Sequence, residues 1–134
     1  MNYKNVFIAV ADDCPEKEGI IPIVKDGKTT PIHAIQYSLI TENPYQFTQE
    51  DIQFLVYAER KGIEKNDSKQ REEFLSKPQA CFRSSALAKR YGWGIHFNDD
   101  GKAAIYSRSS EEYENLMNNS DCKIFKAMRN KRSK

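Results

Sequence analysis

The sequence predicts an α+β fold: a single domain in which several helices cover one side of an antiparallel or mixed sheet. Three observations carry that expectation. An apolar segment, Val6–Val10, stands near the start. A second extended pair flanks the turn Asn98-Asp-Asp-Gly101. Between them, apolar side chains recur at helical spacing. Too few strand–helix–strand units can be drawn for a doubly wound parallel sheet. A length of 134 residues suits one domain, and 39% hydrophobic with 30% charged residues is polar but still globular.

The elements follow in order. Val6, Ile8 and Val10 fall on one side of a strand, with Phe7 and Ala9 on the other. Both sides are apolar, so this strand is expected to be central and buried. Asp12-Asp13-Cys14-Pro15 reads as a turn. Ile20–Val24 is extended, but Pro22 cannot donate to a ladder, which leaves an edge strand or an ordered loop. Asp26-Gly27 makes a turn. Thr30 caps a helix with Pro31 in its first position; Ile32, Ile35, Leu39 and Ile40 mark the inner face, and Asn43-Pro44 ends it.

Thr48 and Asp51 then form a capping box, with Phe47 and Ile52 as its hydrophobic staple. Ile52, Leu55 and Val56 give this helix an apolar stripe, and Gly62 stops it. It is expected to be the most buried element. Residues 64–73 are highly charged and lead into a short solvated helix ending near Pro78. Ser84 and Ser85 offer caps for a helix over residues 86–91, closed by Gly92. Trp93–Phe97 and Lys102–Ser107 form a hairpin. Ser109 and Glu112 cap a helix that turns Tyr113, Leu116 and Met117 inward. Ile124, Phe125 and Met128 place a last helix over residues 122–129. The domain is read as residues 1–128, followed by a basic flexible tail at 129–134.

Charge is unevenly distributed. The chain carries +2 overall, yet its last twelve residues hold Lys123, Lys126, Arg129, Lys131, Arg132 and Lys134 and no acid. The remaining 15 basic and 19 acidic residues make a body of about −4. An acidic body argues against a broad nucleic-acid face, whereas the tail suits a phosphate backbone or another acidic partner. No apolar stretch approaches a membrane span, and Val6–Ala11 is short for an export signal. Three cysteines, Cys14, Cys81 and Cys122, are odd in number, widely spaced and without a C-x-x-C pair. They read as free thiols in a cytoplasmic protein.

The densest group of functional side chains is Cys81 to His96. A helix starting after Ser84 would aim free N–H groups at an anion, with Arg83 as a clamp and the hydroxyls of Ser84 and Ser85 as further donors. Lys89 lies farther along. The competing reading is a serine cap beside a solvated arginine. Trp93 stands between Gly92 and Gly94, which leaves room for a ligand or, more simply, for a close-packed neighbour. His96 is opposite in phase to Trp93 and Ile95. It is a candidate general base on a groove, or an ordinary strand histidine. Arg83, Ser84, Ser85, Lys89, Trp93 and His96 are therefore the candidate ligand site. Asp12, Asp13 and His96 have no spacing that demands a metal, and no cofactor motif is present: no P-loop, G-x-S-x-G, H-E-x-x-H or G-x-G-x-x-G. Whether the domain is an enzyme stays open at this point.

Asn5-Val-Phe-Ile-Ala-Val-Ala-Asp-Asp-Cys-Pro15 and Leu87-Ala-Lys-Arg-Tyr-Gly-Trp-Gly-Ile-His96, with Asn43-Pro-Tyr45 and Thr48-Gln-Glu-Asp51 between them, carry a resemblance. Over about 130 residues the chain resembles a family of small uncharacterised bacterial proteins, a domain of unknown function. The resemblance implies a bacterial, cytoplasmic domain and no particular activity. Residues 93–118 also resemble the small α+β MmcQ/YjbR-like domains at the level of fold. Three functional expectations follow from the residues themselves. The first is a binding domain for a small anionic ligand or an acidic partner segment. The second is nucleic-acid association through the basic tail. A small unassigned enzyme, with His96 as base and Cys14 or an aspartate nearby, is the third.

Overall fold

The computed structural model describes residues 2–24, 27, 29–118 and 121–131. Four strands and five helices are present among them: β1 (Val6–Ala9), α1 (Ile32–Glu42), α2 (Gln49–Lys61), α3 (Ser68–Leu75), α4 (Ala86–Lys89), β2 (Trp93–Phe97), β3 (Ala103–Ser107), α5 (Glu111–Asn118) and β4 (Lys123–Lys126). A 3-10 turn at Phe82–Ser84 precedes α4. The fold is α+β, built on one mixed sheet of order β3-β2-β1-β4. β3, β2 and β1 are antiparallel neighbours, and β4 runs parallel to β1. No helix among the described residues is long and apolar enough to cross a membrane.

The register explains the layers. Val6 and Ile8 pair with Phe97 and Ile95, and these four point into the main core with Ile35, Ile40, Ile52, Val56, Phe82 and Leu87 from the helical layer. Phe7 and Ala9 face the other way, against Tyr113 of α5. Helices therefore cover both faces, not one. A strand apolar on both sides would otherwise leave Phe7 and Ala9 in water. All four residues of β1 are buried, so β1, and not α2, is the most buried element.

Local chemistry sets most boundaries. The Thr48 hydroxyl accepts from the Asp51 N–H while the Asp51 carboxylate accepts from the Thr48 N–H, the reciprocal box predicted, and Gly62 closes α2 at φ 69°. Asn98 Oδ1 accepts from the N–H groups of Asp100 and Lys102, shaping the predicted hairpin turn. Elsewhere the structure corrects the expectation. α1 begins at Ile32 after an extended Pro31, and Ile32 is exposed. Ser110, not Ser109, caps α5 by accepting from the Tyr113 N–H. α4 is only four residues long. Ile20–Val24 forms no strand. Residue 26 of the predicted Asp26-Gly27 turn lies outside the described residues.

The largest correction is β4. Residues 123–126 form a strand, although Ile124, Phe125 and Met128 sit at helical spacing. The reason lies at the far end of the chain. β1 is central and needs partners on both edges. Lys123 N–H donates to the Asn5 carbonyl and Ala127 N–H to the Ala9 carbonyl, which completes that edge.

Candidate functional site

The six residues expected to share a site do not come together. Ser85 is buried: its Oγ accepts from the Leu87 N–H and donates to Gln36 Oε1 at 2.8 Å. Ser84 Oγ donates to the Cys81 carbonyl. Arg83 Nε donates to the Lys126 carbonyl at 2.8 Å, with its guanidinium 5.8 Å from the centre of the Phe125 ring. Arg83 thus clasps β4, and a helix of four residues offers little dipole to an anion. The Lys89 carbonyl accepts from Asn130 Nδ2. Trp93 packs on the main core beside Tyr37, and its indole N–H donates to the Ile20 carbonyl. The space beside Gly94 is filled: a Cβ there would stand 2.4 Å from Phe7 and 2.6 Å from Tyr113.

His96 lies on the opposite face of the sheet. Its Nδ1 is 2.8 Å from the Tyr45 hydroxyl, which is 2.7 Å from the Tyr106 hydroxyl. Tyr45 adopts φ 58°, a left-handed conformation unusual for a tyrosine, which delivers its phenol across the hairpin. Burial lowers the pKa of His96, opposed by Asp99, and burial with the Tyr106 contact raises that of Tyr45. Both shifts favour the uncharged forms. Asp12 pairs with Lys126, and the Asp13 carboxylate accepts from the N–H groups of Asn130 and Lys131. Among the described residues no three His, Cys, Asp or Glu side chains gather to hold a metal.

A concavity opens on the helical layer. A groove of about 620 Å³ opens between α1, α2, α3 and the segment leading into α4. Tyr57 and Phe74 stack at 4.5 Å between ring centroids and, with Val56 and Ile32, give it an apolar wall. Ser84 and Ser85 line it together with Gln36, Gln53, His33, Cys81 and others. Arg60 and Lys61, from the last turn of α2, are exposed at its rim, and among the described residues no carboxylate side chain lines it. His33 stacks on Tyr91 at 4.5 Å; burial first, then the charge of Arg90, lowers its pKa.

Residues 1–133 match the Family of unknown function (DUF6157). The chain belongs to this family. The match spans nearly all of the sequence, as the resemblance implied, and carries no activity with it. No curated protein matches the chain, and no solved structure does.

Of the predicted residues, then, the groove takes Ser84 and Ser85 and leaves Arg83, Lys89, Trp93 and His96 outside its lining. The groove's aromatic wall and cationic rim escaped sequence reasoning, because Tyr57, Arg60 and Phe74 belong to two helices whose mutual packing has no local signature. Gln36 did leave a signal. It stands between Ile32 and Ile40 at four-residue spacing, a polar group within an apolar stripe.

Proposed function

We propose that this domain binds a small amphipathic anion in the groove between α1, α2 and α3. The observation that carries the reading is an open apolar groove that, among the described residues, has Arg60 and Lys61 at its rim and no acid in its lining. Its volume lies within the range of small-molecule sites, and an aromatic pair with a few polar groups suits an apolar body with a charged head. This reading keeps the anionic ligand and moves its charge partner from Arg83 to Arg60 and Lys61. Three free cysteines agree with a reducing, cytoplasmic setting.

NMR titration of the ¹⁵N-labelled domain with octanoate and with octylamine tests it. Octanoate is expected to shift groove amides in a saturable, salt-sensitive way, and the R60A/K61A variant to bind it roughly 3- to 10-fold more weakly. Equal binding of the amine, or shifts confined to other surfaces, would refute it. The nucleic-acid alternative has less support. Lys126 pairs with Asp12, and the backbone at Asn130 and Lys131 is tied to Asp13; residues 132–134 lie outside the described residues.

A further inference from the structure

Gln36 is the most informative side chain in the groove. It is only 8% exposed, on the second turn of α1, yet it lines the groove wall. Its orientation is set by Ser85. Because Ser85 Oγ already accepts from the Leu87 N–H, its own proton is free to go to Gln36 Oε1. The Gln36 amide therefore turns its NH₂ group away from Ser85. That group has no protein partner among the described residues, and no fully buried side-chain nitrogen or oxygen there lacks one. The NH₂ donors consequently reach the groove itself.

An occupant that covers these donors with hydrocarbon strands them. Leaving a buried donor unsatisfied costs about 1–3 kcal/mol, so a site of this kind rejects analogues that lack an acceptor. The acceptor at this depth must also be uncharged. Among the described residues the floor holds no Lys or Arg: burial and then the charge of Arg90 lower the pKa of His33, which lines the groove, and Arg60 and Lys61 are at the exposed rim. A carboxylate placed at the floor would lose its hydration without a charge partner, whereas at the rim it keeps both.

We infer that the ligand is an elongated amphipathic acid with an uncharged carbonyl at the end opposite its carboxylate. The carbonyl accepts from Gln36 Nε2 at the floor, the hydrocarbon lies along Tyr57 and Phe74, and the carboxylate stays with Arg60 and Lys61. This rests on the groove reading above and adds the polarity of both ends and the direction of entry.

The test compares straight-chain monomethyl dicarboxylates with fatty acids of the same length on the wild-type domain, by NMR titration. The monoesters are expected to bind about 3- to 10-fold more tightly than the fatty acids, the worth of one hydrogen bond made in place of one lost, even though they are less hydrophobic. Gln36→Met, shown to be folded by its thermal melt, is expected to abolish that preference while still binding the fatty acid. Fatty acids that bind the groove as well as the monoesters, or a preference that survives in Gln36→Met, would overturn the inference and leave the groove reading standing. If no probe shifts the groove amides at millimolar concentration, the groove reading falls and takes this inference with it.

Discussion

Tyr113→Phe isolates a single hydrogen bond in the second core. The Tyr113 hydroxyl accepts from the Val10 N–H at 2.9 Å, and the two residues are 9% and 3% exposed. Val10 lies one residue beyond β1, where the sheet ladder has ended, and Ala11 N–H already goes to the Ala88 carbonyl. The phenol thus supplies the acceptor that the sheet does not. Phenylalanine keeps the ring and its edge-on contact with Phe7, whose centroid is 5.1 Å away. What remains is an orphaned buried N–H, costing about 1–3 kcal/mol. At roughly 3–5 °C per kcal/mol for a chain of this length, Tm is expected to fall by about 3–15 °C. Thermal and urea unfolding measure it, with an unchanged m-value showing that only stability moved. Tyr57→Phe is the control, because its hydroxyl has no hydrogen-bond partner among the described residues. Equal behaviour of the two variants would refute the argument that Val10 depends on Tyr113.

Two further predictions concern backbone geometry and pH. Gly92 has φ 76°, and a Cβ there would stand 2.3 Å from the Glu18 carbonyl oxygen, whereas Gly62 has φ 69° and nothing within 4 Å. Gly62→Ala is expected to cost about 1–2 kcal/mol of left-handed strain and Gly92→Ala clearly more; equal losses in urea melts would show that the clash relaxes freely. His33 and His96 both have pKa values lowered by burial, so below their ordinary range near ~6.5 the unfolded chain binds more protons than the folded one. Their contribution to stability is present above that range and is lost as pH falls through it. Melts between about pH 7 and pH 5 should show stability declining, with a shallower decline in His96→Gln; an unaltered slope would remove His96 from the effect.

A serine beside an arginine, read along the chain, resembles an anion clamp. In three dimensions Ser85 spends its hydroxyl on Gln36 and on the start of α4, and Arg83 holds β4 through the Lys126 carbonyl. The candidate residues that sequence proximity grouped together are thereby divided among the groove, the core and the two faces of the sheet. His96 and Trp93 are three residues apart, and strand alternation alone puts them on opposite faces.

The sequence by itself determined what depends on neighbours within a few residues. Thr48 and Asp51 meet because one helical turn brings them together. Asn98 to Gly101 reverse the chain through their own side-chain bonds, and Val6 to Ala9 are buried because both faces of the strand are apolar. Only the tertiary structure decided the rest. Ile124 and Phe125 became a strand because an edge of β1, more than a hundred residues earlier, required hydrogen bonds that no local pattern announces. Gln36 became a groove donor because Ser85, 49 residues away, took its carbonyl and left its amide NH₂ for the groove. Tyr45 reached His96 only through a left-handed turn that local propensity disfavours. Periodicity and capping act over a turn or two of chain. The partner of a buried edge or a buried amide is chosen by packing, which brings together residues that the sequence keeps apart.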